Sequence, residues 1–469
     1  MEKENRMKLN SFQVNTISSK KIPLANKLYI WSLLFEPLMY FAYASGGQTT
    51  GIPISVSRLL QIMVLISFSS RLFFWGKLYL KKQLISLHLS KYFVTYLLIL
   101  ISSSLFGIFL FDSYKITFNN IIIDAETEVP FLKNKYVRPF FDIFLLAYYY
   151  FYFIILAKYF INSSEAIKYF FNYFLFTFYV ILFMGFIDLG YFFMSGSALI
   201  TRHIGELTDV GFRFHSFIGE PRDAFVYLVY SGLVLVIYHN LYIKIRHIKL
   251  LLYIILSAII LTQSASGIIG ILLGGLLAFI YLLFKGNRKV FYFFGFFAII
   301  IFLSVISIQT SPRLVLVLDA FPTLFEDLKN RNELPSVLKV QSVNFLPFFG
   351  MYEQLINFNI KQIIFGSGFS SSAYFNMNFI GNYDEGNPHA QITRILYEGG
   401  ILGTITYLIF LMKPVIKFLL TLPQSIVYNS VFLFFLLSGT SLTHRTLIPF
   451  ILSGLILAYN NINHSGINR

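Results

Sequence analysis

"YFVTYLLILISSSLFGIFLF", residues 92–111, carries no charged side chain and no proline. Wound as a helix rising about 1.5 Å per residue, it spans roughly the 30 Å hydrocarbon thickness of a bilayer. Runs of this kind recur along the 469 residues, which are 56% hydrophobic, 19% aromatic and only 13% charged. In lipid every backbone polar group must be satisfied internally, so only helices or a closed barrel can span. The alternating segments of about ten residues that build a barrel are absent. The expected fold is therefore all-α: a polytopic membrane protein of about 12 transmembrane helices with one large external loop.

The spans are expected near 28–45, 53–70, 92–111, 139–158, 170–193, 223–240, 249–264, 267–284, 290–308, 389–412, 424–439 and 445–460. The basic stretches "RLFFWGKLYLKKQLISLHLSK" (71–91), "IKIRHIK" (243–249) and "KGNRK" (285–289) contain no acid. With 12 spans they share one side with Lys413, Lys417 and the N-terminal Lys20, Lys21 and Lys27. That is the positive-inside pattern, and it makes residues 1–27 and 461–469 cytoplasmic tails. It also accounts for the net charge of +15, which in a soluble chain would have pointed to nucleic acid. Residues 28–308 then hold the first nine spans and 389–460 the last three. The opposite face receives three loops, near 112–138, 194–222 and 309–388. In the longest, "DAFPTLFEDLKN" (319–330) reads as a helix capped by Asp319. "SVLKVQSVNFLPFFGMYEQLINF" (336–358) is apolar enough to lie on the membrane surface or pack on the helices below. With no cysteine there are no disulfides or thiolate ligands, and no Asp-rich pair or His cluster points to a metal. No cofactor is expected.

Charge is gathered on the external side in "RFHSFIGEPR" (213–222), between two apolar stretches. Arg202, Arg213 and Arg222 lie in one outer loop, joined on the same face by Arg138 and Arg445, with His215 and Glu220 beside them. Arginine near a helix end often anchors to headgroups. Several in one external loop run against the positive-inside bias, and a phosphate on a substrate is the alternative partner, since guanidinium offers a permanently charged bidentate fork. In "NPHAQITRILYEGGILG" (387–403) a helix starts after Pro388, and His389, Thr393 and Tyr397 fall on one face. His389 is either a base at the membrane surface or a first-turn residue bonded to a loop carbonyl. Glu36 and Asp188, within or near spans, read as groups satisfying a broken or ending helix.

Together these pieces resemble the O-antigen polymerase and ligase superfamily. "RFHSFIGEPR" is similar to its R-x-x-G-x-x-x-x-P-N element, with Ser216 in place of Gly and Arg222 in place of Asn. "IIFGSGFSSS" (363–372) resembles its L-F-G-x-G-x segment. "PHAQITRILYEGGILG" resembles its P-H-N-x-x-L-x-x-L-x-E-x-G-I-x-G element, with His389, Glu398, Gly400 and Gly403 in register and Ala390 where Asn is common. "LTQSASGIIGILLGG" (261–275) is similar to its T-x-S-R-G stretch without the Arg. The resemblance covers roughly 130–412. It implies a GT-C-like, metal-independent, inverting glycosyltransferase of the bacterial inner membrane, acting at the periplasmic face on undecaprenyl-pyrophosphate-linked oligosaccharide. It makes His389, Glu220 and Arg213 the catalytic candidates, and Arg222, Arg202, Arg138, His215, Arg445 and Tyr397 the substrate-binding ones. Membrane lipid and a chain-length regulator protein are the implied partners. A polymerase is expected ahead of a ligase acting on lipid A-core. A flippase is the third alternative, disfavoured because most spans carry no charge.

Overall fold

The computed structural model describes residues 22–36, 56–74, 90–118, 121–123, 134–197, 199–200, 213–218, 221–241, 245–263, 312–330, 346–380, 391–421 and 450–458, with isolated positions elsewhere. The spans expected near 267–284, 290–308 and 424–439 lie largely outside these residues, as do the two tails. Within them the chain is a helical bundle. Its helices are α1 Leu24–Phe35, α2 Val56–Phe74, α3 Lys91–Phe109, α4 Arg138–Phe160, α5 Ser164–Ser195, α6 Pro221–Leu241 and α7 Ile248–Leu261. Then come α8 Pro312–Lys329, α9 Leu346–Ile356, α10 Ile360–Phe365, α11 Ser371–Ile380 and α12 Gln391–Thr421, and residues 450–458 are also helical. A short antiparallel hairpin, β1 Ile116–Phe118 with β2 Ile121–Ile123, follows α3.

Among the described residues, α3, α4 and α5 are long and apolar enough to cross a bilayer. The stretch read first, 92–111, is α3. Exposed Leu98, Phe144, Phe176 and Phe183 stand on these three helices. So many bare apolar side chains suit a surface bathed in lipid. The opposite faces make one continuous aromatic-rich core, with Tyr29, Phe93, Tyr96, Phe153, Phe160, Phe174 and Phe178 fully buried.

Local chemistry explains the helix ends and the irregularities. Ser163 caps α5 by accepting the Ala166 amide, and Gly196, at φ +71°, ends it in the left-handed conformation that glycine adopts without strain. Inside α4, residues Phe151–Ile155 form a single π turn. Such a turn frees carbonyls for other partners, and Tyr152's accepts the Tyr29 hydroxyl at 2.9 Å. Gly454 lies so close to the Phe153 carbonyl that a Cβ there would come within 1.9 Å.

The segment 309–388, expected from the sequence as the large external loop, contains α8 to α11, and the apolar pattern of α9 is split between two surfaces. On α9, Leu346, Gly350 and Met351 are buried, while Phe348, Tyr352 and Leu355 are exposed. One expectation fails here. Asp319 is not an N-cap, because α8 begins at Pro312 and runs through Asp319 and Pro322. Proline suits a helix's first position, since its missing N–H would have no partner there, so the helix starts at Pro312, well before Asp319.

Candidate functional site

The decisive local feature is a break in α12. Gly400 has φ +62° and ψ −166°, non-helical angles that kink the helix there. Just before the kink the glycine-rich turn 366–368 bonds to the helix: the Ser367 amide donates to Tyr397 O at 2.9 Å and the Gly368 amide to Glu398 O at 3.0 Å. The Ser103 hydroxyl of α3 adds a third bond, to Glu398 O at 2.6 Å. A Cβ on Gly366 would sit 2.2 Å from that carbonyl, and one on Gly107 of α3 would sit 2.1 Å from Ser367 O. The approach of these three backbones requires glycine. The segments "IIFGSGFSSS" and "PHAQITRILYEGGILG", recognised separately in the sequence, are thus one interlocked unit.

That unit holds a charged network. The Arg394 Nε donates to both carboxylate oxygens of Glu398 at 3.0 Å, and the Ser372 hydroxyl donates to the same group. Glu398 is fully buried, and the Arg394 guanidinium lies over the Phe369 ring, 5.1 Å from its centroid. On its other side Arg394 faces Asp142 of α4 across 3.8 Å. Asp142 also accepts the Arg138 Nε at 2.8 Å and the Ser370 hydroxyl. Arg138 and Asp142 are spaced i,i+4 at the start of α4, and Arg394 and Glu398 are spaced i,i+4 before the break in α12. Loop 366–372 joins the two pairs. Burial obliges each charge to have a partner, and each has one.

A second group surrounds "RFHSF". The Arg213 guanidinium donates to the carbonyls of Thr262 and Gln263 at 2.9 Å each, closing the C-terminus of α7. The Phe214 amide bonds Leu261 O, and its ring fills the space left open at Gly185 of α5. His215 is buried, with Nε2 3.3 Å from Asp188 and Nδ1 3.1 Å from the Ser216 carbonyl. Asp188 also accepts the Ile200 amide at 2.8 Å. A third network joins Glu36 at the end of α1 to Arg58 of α2 at 3.3 Å, with Ser57 and Gln61 donating to the same carboxylate. Tyr148 of α4 donates to Gln61 at 2.7 Å. Glu36 and Asp188 therefore hold helix ends and a loop in place, as their sequence positions implied.

Of the sequence-predicted site residues, the structure places Arg138 in the Asp142–Arg394 network. Tyr397 is its near neighbour through the backbone, but the ring is buried against Phe375 and Gly350 in an apolar cluster rather than open to a ligand. Arg213 and His215 share the α5–α7 junction. His389, Glu220, Arg202 and Arg445 lie outside the described residues, and Arg222 stands in the first turn of α6. Sequence reasoning missed Asp142, Arg394, Ser370 and Ser372. The signal was two i,i+4 Arg–carboxylate pairs inside otherwise apolar helices, where an ionisable group is expensive unless it has work to do. An open groove of about 800 Å³ between α5 and α7, walled by Phe176, Phe183, Phe186 and Tyr253, is apolar and carries none of this chemistry.

Fold and site together define an α-helical membrane protein with guanidinium–carboxylate networks set among its helices. Residues 250–408 match the family model described as O-antigen ligase. That match covers about a third of the chain and supports a likeness to the O-antigen polymerase/ligase superfamily, whose enzymes are glycosyltransferase-like. Neither the curated proteins nor the solved structures gave a match. The matched region contains Arg394, Glu398, Ser370 and Ser372; Arg138, Asp142 and Arg213 precede it.

Proposed function

We propose that this protein is an O-antigen polymerase. It moves a growing glycan from undecaprenyl pyrophosphate onto the incoming lipid-linked repeat, at the periplasmic face of a bacterial inner membrane crossed by twelve spans. The observation that supports this reading best is the interlocked unit. Two separately recognisable family segments meet at the Gly400 break and hold the Arg394 guanidinium beside Arg138 and Asp142 at the start of α4.

In the reaction, an acceptor sugar hydroxyl attacks the anomeric carbon from the face opposite the leaving group. A new carbon–oxygen bond forms as the bond to the pyrophosphate oxygen breaks, so the configuration inverts. The hydroxyl proton passes to a base, for which His389 and Glu220 are the candidates. The electron pair departs with undecaprenyl pyrophosphate. Fixed guanidinium groups stabilise that growing charge with no metal, and water-poor surroundings strengthen each contact. Arg138, Arg202, Arg213, Arg222 and Arg445 are the proposed set. His215, buried beside Arg213, acts by holding its loop, and Tyr397 by packing beneath the site. A chain-length regulator is the expected protein partner.

The family description favours a second reading, ligation of the finished glycan onto lipid A-core. The purified protein, given synthetic undecaprenyl-pyrophosphate oligosaccharide alone, separates the two. A ladder of longer lipid-linked glycans establishes polymerisation. Transfer only after lipid A-core is added establishes ligation, and neither product from folded protein given the right repeat overturns both.

A further inference from the structure

The two carboxylates of the main network differ in a way that points to different roles. Glu398 has no exposed surface, and its carboxylate is held by Arg394 and Ser372 while its own carbonyl is locked by the 366–368 turn. It cannot leave without unpacking the unit. Asp142 keeps 10% of its side chain exposed beside an Arg138 side chain that is 24% exposed. Three groups from three separate elements converge on a single oxygen, Asp142 Oδ2: the Arg138 Nε of α4 and the Ser370 hydroxyl of the loop donate to it, and the Arg394 guanidinium of α12 faces it as an ion pair across 3.8 Å. Donors focused on one point from independent elements make a cradle for an anion. Glu398 neutralises Arg394 from its far side, and Asp142 supplies the negative charge between the two guanidiniums.

We propose that Arg138, Arg394 and Ser370 form a pyrophosphate-binding site in which Asp142 is a resident stand-in for the ligand. An arriving phosphate oxygen takes the position of Asp142 Oδ2, and the carboxylate swings aside. Phosphate wins because it brings more charge and more acceptor oxygens to the same donors. When the product lipid leaves, Asp142 returns and neutralises the pair. Glu398 meanwhile stays on the far side of Arg394 and fixes the angle at which its guanidinium faces the site. The idea rests on the glycosyltransferase reading for the identity of the anion, and on geometry for the site.

The test is titration of the purified full-length protein in detergent with inorganic pyrophosphate, at fixed ionic strength. Asp142→Asn keeps the shape and removes the competing charge, so affinity should rise about tenfold. Arg138→Ala should lower it about tenfold or more, and the double variant should return near wild type. Ser370→Ala, which changes no charge, should weaken binding severalfold, and serves if Asp142→Asn fails to fold. Unchanged or weaker binding by folded Asp142→Asn, or unchanged binding by Ser370→Ala, overturns the proposal. Absence of binding in wild type and Asp142→Asn alike does the same. Glycan elongation is scored separately. Tightened pyrophosphate binding without any glycan transfer would overturn the enzyme reading and leave the site standing; elongation with unmoved affinities would do the reverse.

Discussion

Replacing Arg394 with methionine keeps most of the side chain's apolar length and deletes its charge. Glu398 then remains fully buried, with the Ser372 hydroxyl and the Ser370 amide still donating to its carboxylate but no cation beside it. Removing one partner of a buried ion pair typically costs about 3–5 kcal/mol, because the other charge is left uncompensated. Losing the guanidinium's contact with the Phe369 ring adds about 0.5–1 kcal/mol. At about 1 °C of melting temperature per kcal/mol for a chain of this length, the drop should be roughly 4–6 °C. Glu398→Gln should cost less, because Arg394 keeps Asp142 as a counter-charge. In the double variant Arg394→Met, Glu398→Gln no uncompensated charge stays buried there, so it should be about 2 kcal/mol more stable than the sum of the single losses. The assay is thermal unfolding of the purified proteins in one detergent at one scan rate, since unfolding of large chains is often irreversible. A melting temperature for Arg394→Met within about 2 °C of wild type would refute this account of the network. So would strict additivity in the double variant.

Gly366→Ala forces a side chain onto a residue at φ +85° and to 2.2 Å from the Glu398 carbonyl, so little folded protein should accumulate in membranes; normal accumulation would contradict the interlock. Arg213→Ala should lower the melting temperature and abolish chain extension, because two charge-assisted bonds to α7 disappear; Arg213→Lys should be nearly as damaging, since an ammonium cannot reproduce the fork, and normal glycan length in either would count against its proposed role. Asp188→Leu leaves His215 without its buried partner and should cost about 1–3 kcal/mol, read as a lower melting temperature; an unchanged value would remove the pair from the account of the loop. Turnover should persist in excess chelator, and a strict divalent-metal requirement would contradict the proposed mechanism.

Much of the architecture is written in local composition. A run such as 92–111 has no soluble alternative, because an uncharged apolar stretch that long is stable only with its backbone bonds closed and its side chains in lipid or core. The crossing helices α3, α4 and α5, the cap at Ser163, the stop at Gly196 and the family segments all follow from residues close in sequence. The likeness to the family was legible for the same reason, since the matching glycines and Glu398 sit in short windows.

What the sequence could not reveal is which distant pieces meet. The Ser367 amide finds the Tyr397 carbonyl, Ser370 finds Asp142, and Arg394 stands between two acids from different helices only because the helices pack. The one-dimensional pattern marks Arg138 with Asp142 and Arg394 with Glu398 as i,i+4 pairs but does not say that the two pairs meet. Their pairing depends on through-space distance and on the low dielectric of the bundle, which turns a surface-strength attraction into a constraint on the fold. Likewise Tyr397 and His215 read as ligand contacts by helix face and by neighbourhood, yet packing turns both inward. Periodicity and composition decide which segments enter the membrane; tertiary packing alone decides which charges share a site.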